Sequence, residues 1–161
     1  MSSKQKLVRR IVFVSGMNGW SIAGMGVLGG LFSLLTGGWL GGFLCFLITV
    51  AGWMELKGRT KIKQGLKEAA KWLTASQIGL LLVIVFYAGF QLASFDALDP
   101  MAKFSPEMKN LLDTQIGLDS QAISLLVAKL YYTIYISLIV AAFLYQGGLG
   151  LYYWRSSKKI F

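Results

Sequence analysis

Four apolar runs, each approaching the roughly 20 residues that a helix needs to cross the hydrocarbon core of a bilayer, dominate this 161-residue chain. They lie at about residues 11–35, 39–56, 72–93 and 120–154. Backbone polar groups in hydrocarbon must be bonded within the segment, so such runs predict helices. With 55% hydrophobic and 14% charged residues, the chain lacks the polar surface of a water-soluble domain. The runs take up most of the sequence, which predicts one membrane domain over residues 1–161. The expected fold class is an all-α integral membrane protein, its four transmembrane helices arranged as two hairpins.

Small residues recur along the first two runs at alternating spacings of three and four. In the first they are Gly16, Gly19, Ala23, Gly26, Gly30, Ser33 and Gly37; in the second, Gly38, Gly42, Cys45, Thr49 and Gly52. This heptad spacing keeps each set on one side of its helix. So much glycine argues against helices in water. In lipid, small faces let backbones approach closely and gain dispersion contacts that acyl chains do not supply. The two faces, joined at Thr36-Gly37-Gly38, predict a tightly packed pair of helices.

The net charge of +9 is unevenly placed. Four basic residues precede Ile11, six fall between Lys57 and Lys71, and three follow Trp154. Lys103, Lys109 and Lys129 share the opposite compartment with Asp96, Asp99, Glu107, Asp113 and Asp119. By the positive-inside rule both termini and the middle loop are cytoplasmic, in a bacterial-type inner (plasma) membrane. The basic excess is then explained by topology and by contact with anionic headgroups at the cytoplasmic face. No folded basic module is present to bind nucleic acid. The charged start and apolar run, without a small-residue cleavage site, read as a retained signal anchor.

Between the runs lies a basic stretch over residues 57–71, and Ile62, Leu66, Ala69 and Leu73 recur at helical spacing along and just past it. This predicts a basic cytoplasmic connector helix, resting on the inner leaflet or solvated. Ser105-Pro106-Glu107 carries the signals of a helix start. With Met108, Leu111, Leu112 and Ile116 on one face, a short amphipathic extracytoplasmic helix is expected. Ser15-Gly16 and Asn18-Gly19 are turn-prone pairs that would allow a separate interfacial helix over residues 1–18, whereas the unbroken stripe favours continuity.

The catalytic inventory is thin. There is no histidine and one cysteine, Cys45, so imidazole ligands, axial-histidine haem sites and intrachain disulfides are excluded. Paired cysteines and an arginine-rich catalytic loop, marks of small membrane families, are missing too. Gly24, Gly26 and Gly29 spell GxGxxG, but inside an apolar run rather than after a strand, so no dinucleotide site is expected. Neither a metal nor an organic cofactor is implied.

Polar residues within the runs are the candidate site. Counted from the Gly37-Gly38 turn, Asn18 and Glu55 fall at similar depth near the inner interface. Gln77 and Gln146 lie at comparable depth in the third and fourth runs. Ionisable groups inside a membrane point to function, so Glu55, Asn18, Gln77 and Gln146 form a candidate proton or cation site. The structural alternative pairs Glu55 with Arg59, four residues on. Gln91 and Lys129 form a secondary outer pair, with Lys129 either reaching the headgroups or facing a cavity. Tyr131, Tyr132 and Tyr135 read as an outer interfacial belt, and Tyr152, Tyr153 and Trp154 as an inner one.

Two functions follow as expectations. The leading one is a non-catalytic helix-packing or accessory protein, held to a membrane-protein partner or to copies of itself through the small-residue seams. The alternative is a small oligomeric channel or transporter working through the polar cluster. Enzymatic activity is not favoured.

Overall fold

A computed structural model describes residues 2–96, 105–107, 110–111 and 120–160. The chain is all-helical among the described residues: α1 (Ser3–Leu35), α2 (Trp39–Lys63), α3 (Ala69–Ala93), α4 (Ser120–Ala142), one π-helical turn (Phe143–Gly147) and α5 (Gly148–Ile160). Four helices are long and apolar enough to cross a membrane, the last running without a break from Ala122 to Ile160. The chain is therefore a multi-pass membrane protein in composition and helix length.

Several boundaries differ from expectation, each for a local reason. The basic residues before Ile11 are helical rather than a tail. Ser2 and Gln5 form a capping box, the Ser2 hydroxyl accepting from Gln5 N at 3.2 Å and Gln5 Oε1 accepting from Ser2 N at 3.0 Å. These bonds satisfy donors that the first helical turn leaves free. α1 then runs without interruption, so residues 1–18 do not make a separate helix.

The basic connector helix is not found. α2 continues through Lys57–Lys63, Gly65 turns the chain at φ 72°, and α3 begins at Ala69. Ile62, Ala69 and Leu73, expected on one face of a connector helix resting on the inner leaflet or solvated, enter the core instead. The fourth helix passes Trp154 and ends at Ile160, with its π-turn unforeseen. Of the expected outer helix, Met108, Leu112 and Ile116 lie outside the described residues, as do Asp99-Pro100 and Asp119.

The chain divides into two compact units, Met1–Val85 with Ala141–Phe161, and Phe86–Val140. The first is built on α1 against α2. A Cβ on Gly26 would meet Thr49 and the Cys45 carbonyl, whereas one on Gly52 would meet Ala23 and the Gly19 carbonyl. Contacts that rise along α1 therefore fall along α2, and the two helices are antiparallel with their small faces together. At the basic end of this unit, Ile11, Ile62, Ala69, Leu73, Tyr153 and Ile160 form one core cluster.

The side-chain distribution is reversed from that of a soluble protein. Leu28, Leu35 and Trp39 are 70%, 87% and 80% exposed, whereas Glu55 and Gln77 are 0% and 1% exposed. Apolar surface outside and polar groups inside suit a hydrocarbon solvent.

In the second unit, Phe95 stacks on Tyr131 with ring centroids 4.1 Å apart, and Tyr131 leans on Tyr135 at 4.6 Å.

Candidate functional site

Glu55, on α2, is the best-connected polar group of the first unit. Its Oε2 accepts from Asn18 Nδ2 at 2.7 Å and from Gln77 Nε2 at 2.9 Å, and its Oε1 accepts from the Tyr153 hydroxyl at 2.6 Å. The donors come from α1, α3 and α5, so one carboxylate ties together four helices. All three contacts fall on the two carboxyl oxygens.

The small residues explain how short side chains reach this point. An added Cβ at Gly52 would lie 2.6 Å from Ala23 N, which shows how nearly the α1 and α2 backbones touch one turn away from Asn18 and Glu55. One at Gly58 would lie 2.8 Å from the Leu73 side chain and 3.1 Å from its backbone N. That contact sets the start of α3 against α2. Gln77, a turn after Leu73, thus comes level with Glu55, a turn before Gly58. One at Gly150 would sit 3.5 Å from Gln77 Cβ, and Tyr153 follows one turn later. Each donor is therefore placed by a glycine contact about one helical turn away.

A second layer supports the first. Tyr145, in the π-turn, donates to Asn18 Oδ1 at 3.2 Å. This leaves the Asn18 amide nitrogen directed at Glu55. Ser76 Oγ accepts from Gln77 Nε2 at 3.3 Å.

Arg59 does not take the expected ion-pair position beside Glu55. Its Nε donates to the Val12 carbonyl at 3.1 Å, and its guanidinium lies over Gly16, where a Cβ would come within 2.9 Å. The close approach of α1 offers Arg59 a carbonyl acceptor outside the cluster. Among the described residues the ion pair within bonding distance is Lys61–Glu68, at 2.6 Å. The Glu55 carboxylate is thus held by neutral donors.

Gln146 lies in the same unit but does not bond to Glu55. Its Oε1 is buried without a partner, as are Gln77 Oε1 and Thr74 Oγ1, and the three residues line one cavity of about 300 Å³. The structure thus brings Asn18, Glu55 and Gln77 together and sets Gln146 on the far side of Gln77. Tyr153 and Tyr145 were missed, having passed as an interfacial aromatic and as an ordinary apolar-run residue. A signal existed for Tyr153, which stands seven residues after Gln146 and so shares its helical face.

The outer pair divides. Gln91 Nε2 donates to the Tyr87 hydroxyl at 3.1 Å, and Gln91 Oε1 and its carbonyl accept from the Tyr131 hydroxyl at 3.1 and 3.0 Å. Lys129 is exposed and makes no bond to Gln91. The tyrosines within reach of Gln91 bond both ends of its side-chain amide, so Tyr131 serves partly as an internal donor.

The seam residues are placed as contacts within the chain. Gly19 faces Leu56 and Gly52, Gly26 faces Thr49, Gly38 faces Ser33, and Gly42 faces Leu34; Gly30 lies within ordinary contact of Cys45. Gly37, at φ 76°, makes the turn. GxGxxG falls within continuous α1, where Gly24 meets nothing while Gly26 and Gly29 meet α2. Among the described residues no three His, Cys, Asp or Glu side chains gather as a metal site would require. No family model, curated protein or solved structure matches the chain.

Proposed function

We propose that this protein is a small membrane channel or transporter whose working centre is Glu55, a proton or monovalent-cation site held by Asn18, Gln77 and Tyr153. The observation that carries this reading is a fully buried carboxylate, with neutral donors from three other helices, in a chain whose helices suit a membrane. Isolating a charge in this way is costly, and apolar packing would serve stability as well or better. Retention of an ionisable group at this depth is what an ion or proton path requires. Asn18 and Gln77 turn their amide nitrogens to the carboxylate, and Tyr153 has a proton to share with it.

The accessory-protein reading drew on the small-residue seams. Those seams face one another within the chain, which leaves that reading without the surface that motivated it. The working arrangement proposed is two hairpins in a bacterial-type inner membrane, termini and the 64–68 turn on the cytoplasmic side. Lys6, Arg10, Arg155 and Lys159 line one groove of about 730 Å³ at the basic end. Their convergence supports contact with anionic headgroups there.

Reconstituted liposomes test the reading. The parent should show pH-dependent flux of protons or a monovalent cation, and Glu55→Gln should reduce it at least tenfold while folding normally by circular dichroism. Unchanged flux in Glu55→Gln would remove Glu55 from the mechanism. A parent that conducts nothing across a broad solute panel would end the transport reading.

A further inference from the structure

The groove at the basic end of the first unit is more ordered than a basic surface. It lies between α1 and α5 and holds about 730 Å³. Tyr145 bonds Asn18, whereas Ile160 shares a neighbouring groove with Gln5 and Val8, so α5 runs antiparallel to α1. Counted from the Asn18–Tyr145 bond, Arg10 is eight residues back along α1 and Arg155 ten residues on along α5. At about 1.5 Å per residue the two arginines come to nearly one level. Lys6 and Lys159 stand one turn further out, each four residues from the arginine of its own helix and on the same face. The groove thus has two cationic layers, arginines nearer the Glu55 cluster and lysines outside them.

The protein does not cancel these charges. The unit carries thirteen basic residues and two acidic ones. Glu55 is buried in its own cluster, and Glu68 is bonded to Lys61. All four groove cations are exposed, and none is in an ion pair among the described residues. Like charges four residues apart destabilise a helix, and here two such pairs face each other. An anion in the groove relieves that repulsion. Two features narrow the anion. An arginine fork bonds phosphate oxygens bidentately and a lysine adds a point charge, so two layers suit two phosphates, and a single phosphate leaves one layer repelling. Past the arginines the lining continues with Leu151 and Gly148. Leu151 is 54% exposed, and a Cβ on Gly148 would meet nothing within 4 Å. An acyl chain fits this open apolar end, for which a soluble polyphosphate has no use.

We propose that the groove between α1 and α5 is a site for one anionic phospholipid bearing two phosphates, its head in the two cationic layers and an acyl chain along Leu151. Basic pockets between helices on the cytoplasmic side suit such heads. The inference rests on the contact with anionic headgroups proposed above and turns it into a site of fixed stoichiometry. It stands apart from transport through Glu55.

Full-length protein in mixed micelles of neutral detergent and phosphatidylcholine is titrated with cardiolipin, which has two phosphates, with phosphatidylglycerol, which has one, and with inorganic pyrophosphate. Binding is read from the thermal midpoint and from the lipid that stays on the chain in native mass spectrometry. One cardiolipin should be retained per chain, with half-saturation at a total phosphate at least tenfold lower than for phosphatidylglycerol. Arg10→Gln and Arg155→Gln should each weaken cardiolipin at least fivefold. Lys4→Gln removes the same charge from α1 but beside the neighbouring groove, and should change binding less than twofold. Gly148→Leu leaves the charge unaltered and fills open space, and should also weaken cardiolipin at least fivefold. Equal affinity for the two lipids at matched phosphate, or equal losses in Lys4→Gln and Arg10→Gln, overturns the site and leaves diffuse headgroup contact standing. No preference for either anionic lipid over phosphatidylcholine overturns both. Pyrophosphate binding as tight as cardiolipin overturns the lipid as occupant. The comparison of lipids on the parent needs no variant and decides even where one fails to fold.

Discussion

Single glycines carry opposite burdens here, and their positions decide the sign. At Gly52 a Cβ would lie 2.6 Å from Ala23 N and 2.9 Å from the Gly19 carbonyl. Backbone atoms cannot turn aside, so α1 and α2 must separate, and Asn18 would lose its reach to Glu55. Gly52→Ala should destabilise the protein by roughly 1–3 kcal/mol, as overpacking does. Gly24 meets nothing within 4 Å, and Gly24→Ala should stabilise α1 by about 0.5–1 kcal/mol through helix propensity. Thermal midpoints of both variants in one detergent check the pair; an unlowered midpoint for Gly52→Ala would mean that the α1–α2 contact is looser than described, and a lowered one for Gly24→Ala that Gly24 is not in open surroundings. At this scale the sequence was informative about Asn18, Glu55 and Gln77, because polar letters stand out in apolar runs. It was silent on Tyr153, because an aromatic near a membrane interface is ordinary and its hydroxyl acquires a destination only when α5 meets α2. It misled on Arg59, because helical spacing offers a partner within α2 without revealing a nearer acceptor on α1.

Among the elements, those whose signal is continuous hydrophobicity were readable, and those set by a few bonds were not. The spans are long apolar runs, and the small-residue heptad declared which faces of α1 and α2 would meet. The start of α1 depends on two bonds between Ser2 and Gln5, easily lost beside a conspicuous basic cluster. The π-turn leaves no mark in Phe143–Gly147 that distinguishes it from α-helix, since accommodating one extra residue is a property of packing. The 57–71 stretch read as a helix by its periodicity, yet Gly65 breaks it and its apolar residues belong to two helices. That turn is held by Lys61, whose Nζ donates to Glu68 Oε2 at 2.6 Å, and this bond keeps the Glu68 carboxyl below its ordinary value. A lowered value in the folded state stabilises the fold above the unfolded value, and the contribution fades as pH falls through the folded one. Parent and Glu68→Gln should therefore differ slightly in thermal midpoint at neutral pH and converge in acid. The difference should also shrink in high salt, because the pair is exposed. A gap that widened toward acid pH would contradict this assignment.

For the whole molecule, the distribution of charge speaks where helix contacts do not. Lys and Arg are costly to move across hydrocarbon, and the bias of short flanking segments toward Lys and Arg orients a membrane chain. Here six basic residues lie between Lys57 and Lys71, and three beyond Trp154, while the segment between α3 and α4 is acidic. The orientation inferred from this asymmetry is independent of how the helices pack, so it can fail while the Glu55 cluster stands. Replacing the sole cysteine, Cys45→Ser, gives a background for single labels at Lys67→Cys, in the 64–68 turn, and Glu107→Cys, both at exposed positions. A membrane-impermeant maleimide should label Glu107→Cys in intact spheroplasts and reach Lys67→Cys only after lysis. The reverse pattern would invert the chain and put the Glu55 cluster near the outer face, where a proton or cation would enter from outside. Labelling of both positions before lysis would mean that α3, which lies between them, does not cross, which would dismantle the proposed second hairpin and the proposed path with it. The result on this one axis therefore fixes which face of the membrane the Glu55 cluster lies nearer, which is the first thing the proposed transport mechanism would have to specify.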